Sequence, residues 1–291
     1  MESGTYKSDA SNLETLRRVC AGELLRAFGL DGERGILTPV ARLAVGRLAE
    51  RAIEYDRLVG EGGLGRGGDW ALRRVARRAN FSGEASIPGK GPLMVVSNHP
   101  GLSDTVALFS AIPRNDLMVI AARREFLDAL PNTARRLFIL EEGDGGSGVV
   151  RAAARHMRGG GSLLTFPGGR IEPDPASTSG AAGSLAAWSG SLDLFARLVP
   201  GLTIVPAIVS GVVSRGAHRN PLLYLRRREE DRRWLAATLQ MIFPSLYAVD
   251  VRVDFGRPVS RASTDGGLSS APPGEVSREV IRQAKRLISI H

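Results

Sequence analysis

The chain has 291 residues, long enough to bury a sizeable core as one large α/β domain or two small ones. Its 43% hydrophobic and 24% charged content is that of an ordinary globular protein, and its one cysteine, Cys20, excludes an internal disulfide. The net charge of +9, carried almost wholly by arginine, suits nucleic acid, an anionic membrane or acidic and phosphorylated substrates, or plain solvated surface.

Met1 to Asn12 is polar and has no apolar stretch of the kind a signal peptide needs. No uninterrupted apolar run reaches membrane-spanning length. The nearest, Leu192 to Val213, is broken by Asp193, Arg197, Pro200 and Pro206 and reads as a helix, a turn and a strand. Cys20 sits in a helix-like setting and reads as a small buried filler, consistent with a reducing compartment.

Two amphipathic helices come first. Leu13, Leu16, Val19, Leu24, Leu25 and Phe28 recur at near-helical spacing, and Leu37, Val40, Leu43, Val45, Leu48 and Ile53 repeat the pattern. With arginines between, the pair either lies on an anionic membrane or caps the core. Gly60 to Gly68 reads as a break and a boundary, followed by a short helix from Trp70 to Arg78.

Beyond that point strands and helices alternate. Strands are expected at Leu93–Ser97, Leu117–Ala121, Leu137–Leu140, Ser162–Phe166, Thr203–Val209 and Val249–Phe255. Helices are expected at Ser103–Ile112, Val149–Arg158, Ser191–Leu198, Glu229–Ile242 and Pro273–Ile288, the last opened by Pro272 and Pro273. Such alternation predicts an α/β fold with a mostly parallel central sheet flanked by helices, preceded by an N-terminal helical segment. The small, glycine-rich stretch from Pro173 to Gly190 is either a loop that serves a site or a mobile excursion.

Two segments carry candidate chemistry. The apolar run Leu93-Met94-Val95-Val96 leads through Ser97-Asn98 to His99, just past a strand end, where α/β sheets place ligands. Asp104 lies five residues on, at a helix start, and a turn through Gly101 brings its carboxylate back to the imidazole. A carboxylate there fixes the tautomer and stabilises the imidazolium; the alternative is a turn histidine capping the helix. The run Leu163-Leu164-Thr165-Phe166 leads into Pro167-Gly168-Gly169-Arg170. That turn offers backbone N–H groups and a guanidinium to an anion, or is an ordinary glycine turn.

Asn98-His99-Pro100-Gly101-Leu102-Ser103-Asp104 resembles the H-x4-D motif of the glycerolipid acyltransferase superfamily, the family of lysophosphatidic acid acyltransferases. Leu164 to Arg170 resembles that family's F-P-E-G-T-R phosphate motif, and Thr203-Ile204-Val205-Pro206-Ala207 its later apolar-proline motif. The three stand in family order over residues 80–260.

The resemblance implies a glycerol-3-phosphate acyltransferase-like fold, with residues 1–79 as an N-terminal helical segment, 80–260 as the acyltransferase domain and 261–291 as a linker and C-terminal helix. It implies His99 and Asp104 as the catalytic pair. Asn98, Phe166, Pro167, Gly168, Gly169, Arg170 and Glu172 would bind substrate, and Val205 and Pro206 would lie near the acyl pocket. The donor would be acyl-CoA or acyl carrier protein, with no further cofactor and no metal. The acceptor would be a lipid or glycerol-type hydroxyl, met peripherally on the anionic inner face of the cell membrane, in the cytoplasm. The chain departs from the family at Gly168, where glutamate is usual, at Arg170, one place early, and at Glu141, near where an arginine is expected; Glu172 is a candidate replacement for the missing carboxylate.

Other signals compete. Gly60-Glu61-Gly62-Gly63-Leu64-Gly65 follows a helical segment and is discarded as a dinucleotide motif. Gly143 to Gly148 has a better context, but Glu141, Glu142 and Asp144 would repel a pyrophosphate. His156 reads as exposed on a helix, and His218 as a loop residue beside Arg215 and Arg219 that could face a phosphate. The mixed-sign run Arg226 to Trp234 reads as a solvated helix start. No G-x-S-x-G elbow and no metal-ligand spacing appear. Aromatics are 5% and do not interleave with the arginines, which disfavours the rival nucleic-acid binder; a lipid binder without catalysis is the other alternative.

Overall fold

The computed structural model describes residues 9–30, 35–101, 103–141, 143, 145–188, 190–260 and 274–289. Residues 1–8 of the polar N-terminal stretch, Leu102, Glu142, Asp144 and the Pro272-Pro273 helix start lie outside them. In chain order the elements are α1 (Asp9–Ala27), α2 (Thr38–Val75), β1 (Ala76–Ser82), β2 (Leu93–Ser97), α3 (Ser103–Ala111), β3 (Leu117–Ala122), α4 (Glu125–Asp128), α5 (Pro131–Ala134), β4 (Leu137–Leu140), α6 (Ser147–Arg158) and β5 (Ser162–Thr165). Then follow α7 (Ala181–Ser184), α8 (Ser191–Leu198), β6 (Thr203–Ser210), α9 (Arg215–His218), α10 (Glu229–Ile242), β7 (Val249–Phe255), β8 (Val259–Ser260) and α11 (Glu275–Ile288).

The strands form one sheet in the order β1-β7-β6-β2-β5-β3-β4, with β8 paired to β6. The block from β6 to β4 is parallel; β7 runs antiparallel to β6, and β1 is parallel to β7. The α/β fold with a mostly parallel, helix-flanked sheet is therefore as the sequence predicts.

The central strand explains the layering. All five residues of β2 are buried, and its side chains alternate between two cores. Leu93 and Val95 enter the core beneath α2 and α3, with Leu164, Val205 and Phe109. Met94 and Val96 enter the opposite core, with Met157 of α6, Phe195 of α8 and Val280 of α11. Full burial of one such side chain contributes about 1.5–3 kcal/mol, so a polar residue on either face of β2 would be costly. Toward the β1 edge one face turns polar, and β7 alternates accordingly: Val249, Val251 and Val253 are buried while Asp250 is exposed.

The glycine-rich stretch corrects the sequence reading. Gly60 to Gly68 is neither linker nor boundary but the interior of α2, with a kink where Gly62 and Gly63 leave helical geometry. A Cβ at Gly68 would stand 2.7 Å from Phe109 Cβ and 2.9 Å from the Val106 carbonyl. Glycine there lets α2 press directly on the backbone of α3, the helix that carries Asp104. The segment read as a helix over Trp70–Arg78 divides: α2 ends at Val75 and β1, an exposed edge strand, begins at Ala76.

Candidate active site

Strand order assembles the site. β2 lies between β5 and β6, with Val96 opposite Thr165 and Ser97 opposite Ala207. The segments around His99, Phe166 and Pro206, far apart in sequence, therefore lie on neighbouring parallel strands, and the two loops after β2 and β5 emerge side by side.

Asn98 continues the ladder with its side chain. Its Nδ2 donates to the Val209 carbonyl at 2.9 Å and its Oδ1 accepts from the Val209 N–H at 2.8 Å. Asn98 is buried, so a carboxamide expected to meet substrate is placed instead as a bridge between the β2 loop and β6.

His99 and Asp104 meet as expected. His99 Nδ1 lies 2.8 Å from Asp104 Oδ2. Asp104 is fully buried in the first turn of α3 and also accepts from the Gly101 N–H and the Thr105 hydroxyl, each at 3.0 Å. A carboxylate partner assigns the ring proton to Nδ1 and leaves Nε2 as the acceptor. Nε2 makes no hydrogen bond among the described residues, and the side chain is 26% exposed. The ring lies against Phe166, centroids 4.6 Å apart. Burial pulls the His99 pKa down, but the charge and hydrogen bond of Asp104, with the charge of Glu172, outweigh it and leave it above the ordinary 6.5.

Glu172, a candidate replacement for the missing carboxylate, sits beneath this loop, 4% exposed. Its N–H donates to the His99 carbonyl at 2.8 Å, and its Oε2 accepts from the His99 N–H at 3.1 Å. Its Oε1 accepts from Ser184 Oγ at 3.0 Å and Trp188 Nε1 at 3.1 Å. Gly168 makes this possible: a Cβ there would stand 3.0 Å from Glu172 Cδ. Burial raises the Glu172 pKa, against the lowering effect of its hydrogen bonds to Trp188, Ser184 and His99.

The β5 loop turns tightly at Phe166, where the Gly169 N–H donates to the Phe166 carbonyl at 3.1 Å and Gly169 has φ +62°. Pro167 is buried and Gly168 half-buried, while Gly169 and Arg170 are exposed. The Arg170 guanidinium has no partner among the described residues. A free cation beside an open glycine turn, two residues from the tether on His99, suits an anionic group. Val205 is fully buried in the sheet core, and the Pro206 carbonyl accepts from the Gly256 N–H at 2.7 Å. Glu141 is ion-paired with Arg123 at 2.8 Å.

The stretch from Pro173 to Gly190 serves the site. Besides Ser184 and Trp188, it contains the buried Asp174, which accepts from the Gly211 and Val213 N–H groups, both at 2.9 Å, and so holds the turn after β6. In sequence the stretch offers one tryptophan and one acid among small residues, directly after Glu172.

Other candidates resolve as structure. His156 is half-buried, not exposed; its Nε2 lies 3.0 Å from the Asp116 carbonyl and 3.1 Å from that of Ser162. His218 belongs to α9, with Nδ1 3.3 Å from the Ser214 carbonyl, and burial lowers its pKa. Cys20 is buried and its thiol is pushed up to about 12, as befits an inert filler. Among the described residues no group of three or more His, Cys, Asp or Glu is placed to hold a metal ion.

No protein-family model matches the chain, and no curated protein matches it in sequence. Among solved structures its fold is similar to that of the 1-acyl-sn-glycerophosphate (LPA) acyltransferase PlsC from Thermotoga maritima, at 15% identity and a TM-score of 0.47, over 97% of this chain and 96% of that one.

Proposed function

We propose that this protein is an acyltransferase that moves a fatty acyl group from a thioester, acyl-CoA or acyl carrier protein, to a hydroxyl of a glycerol- or phospholipid-type acceptor. The observation that carries the proposal is the His99–Asp104 pair: a buried carboxylate 2.8 Å from Nδ1, with Nε2 left free at a strand end. The motif resemblance of the β2, β5 and β6 segments supports the reaction class.

His99 Nε2 takes the acceptor's hydroxyl proton as the oxygen attacks the thioester carbonyl. The tetrahedral intermediate expels the thiolate, which takes the proton from the imidazolium and leaves as thiol. One C–O bond forms, one C–S bond breaks, and no acyl-enzyme is required. Asp104 holds the ring and balances its transient charge. Arg170 and the Gly168–Gly169 turn take an anionic group of the acceptor, such as a phosphate. The acceptor's nature places the protein peripherally on the inner face of the cell membrane; no helix among the described residues is long and apolar enough to cross one.

Thiol release from acyl-CoA, with a lysophospholipid acceptor, tests this. His99→Ala should cost about 10²–10⁴ in kcat, the usual share of a general base. Equal thiol release by wild type and variant would remove His99 from the chemistry. Acceptor-dependent release by neither would leave a lipid binder without catalysis.

A further inference from the structure

The run Arg219-Asn220-Pro221-Leu222-Leu223-Tyr224-Leu225-Arg226-Arg227-Arg228 does more than open a solvated helix. Residues Pro221–Leu225 form a single turn of 3-10 helix, started by Asn220, whose Oδ1 accepts from the Leu222 N–H at 2.9 Å. Leu223 alone points inward, into a small core with Ala217, Leu235 and Leu239. Leu222, Tyr224 and Leu225 are left 42%, 79% and 65% exposed. Arginines bracket them. Arg226 is held by Asp231 at 2.9 Å, while Arg219, Arg227 and Arg228 are exposed and have no partner among the described residues.

We infer that the Leu222–Leu225 turn is a docking tip for an anionic bilayer, its apolar side chains entering the interface and Arg219, Arg227 and Arg228 meeting the headgroups. The partner is chosen by area and charge. Three side chains on one turn are far too little for a stable protein interface, which needs roughly 800 Å² from each partner. An interfacial anchor needs only an apolar tip ringed by cations, and each arginine near an anionic surface strengthens partitioning about fivefold. A neutral or zwitterionic partner would leave the unpaired guanidiniums without purpose.

Neighbouring elements extend the same end of the molecule. The main chain at Gly29 lies against the Arg226 guanidinium, which puts the exposed Leu30 beside the tip. The helix that follows the tip also braces the turn after β6: Gln240 of α10 accepts from the Ser214 N–H at 2.9 Å and donates to the Val212 carbonyl at 2.7 Å, in the turn that Asp174 holds.

The inference rests on the proposed lipid acceptor for its biological sense, but its test does not. Full-length protein is sedimented with vesicles of phosphatidylcholine alone and of phosphatidylcholine mixed with phosphatidylglycerol, across salt. Wild type should bind the mixed vesicles, less at high salt. Leu222→Ser/Tyr224→Ser/Leu225→Ser should bind at least about tenfold more weakly, since each buried methylene counts. Arg227→Ala/Arg228→Ala, which touches no packed side chain, should bind about fivefold more weakly per arginine. Both variants should keep the wild-type melting temperature and transfer acyl groups to a water-soluble short-chain acceptor. Variants that bind like wild type, or equal binding of wild type to neutral vesicles, would overturn the docking tip. So would gel filtration showing that the tip variant splits an oligomer. Loss of acyl transfer with vesicle binding intact would overturn the enzyme reading alone.

Discussion

The two loops that meet over the sheet are built in opposite ways. On the β2 side nearly every polar atom is engaged: Asn98 on Val209, Asp104 on His99, Gly101 and Thr105, and the His99 main chain on Glu172 in both directions. His99 Nε2 makes no hydrogen bond among the described residues. On the β5 side one backbone hydrogen bond closes the turn, and Arg170 is exposed with no partner among the described residues. On the proposed function, the base would be held in place before the reaction, while the exposed Arg170 would give up side-chain entropy of up to about 2 kcal/mol on meeting an anion. That arrangement is the one expected of an enzyme whose acceptors vary in their heads and share a hydroxyl.

The contrast can be broken at either loop. The largest effect should come from Asp104→Asn, which leaves the geometry but hands the ring a donor or a weaker acceptor. We expect kcat to fall by about 10²–10³ with KM for the acceptor nearly unchanged, within the range a positioned base supplies. A change confined to KM would show that rigidity at His99 is not what the reaction uses. Next, Arg170→Ala should lower kcat/KM by about 10–100-fold for a phosphorylated acceptor, the value of a charge-assisted hydrogen bond, through KM rather than kcat. The same variant should treat an uncharged acceptor like wild type. Equal losses on both would mean that Arg170 supports the loop and does not read an anion.

The rigid loop was also the more legible one, and only in part. His99 and Asp104 are five residues apart, so their meeting depends on one turn and shows in sequence. Strands β2 to β7 are continuous or alternating apolar runs and were placed to within a residue or so. β1 was not: Ala-Arg-Arg-Ala-Asn-Phe-Ser has no apolar period because it is an edge strand with its side chains largely in solvent. The glycines of α2 read as a break because their use, close approach to Phe109 and Val106, exists only once α3 is in place. Glu172 stands out in sequence only as a candidate replacement for a missing carboxylate, not as a tether on the His99 loop. Its contact with His99 spans 73 residues and needs β2 and β5 to be neighbours, and Trp188 and Ser184 to fold back. Nothing local announces that.

Glu172→Gln should have the smallest effect on rate and the most telling one on pH. An ionised Glu172 only accepts, and it faces donors on both oxygens: the His99 N–H on one, Ser184 and Trp188 on the other. Glutamine offers one oxygen and one NH₂, so in either orientation an NH₂ faces a donor. Stability should fall by about 1–3 kcal/mol, and kcat by no more than about tenfold. The sign of the pH effect follows from charge. His99 acts only when Nε2 is unprotonated, so kcat/KM falls as pH drops through its pKa. Glu172 is one of the groups that raise that pKa, and removing its charge should move the acid limb to lower pH. Asp104→Asn should move the limb further the same way. Trp188→Phe removes one hydrogen bond to Glu172 but leaves its charge. It should lower the melting temperature and leave the limb in place, so a shift in that variant would mean that loop packing, not the Glu172 charge, sets the protonation of His99.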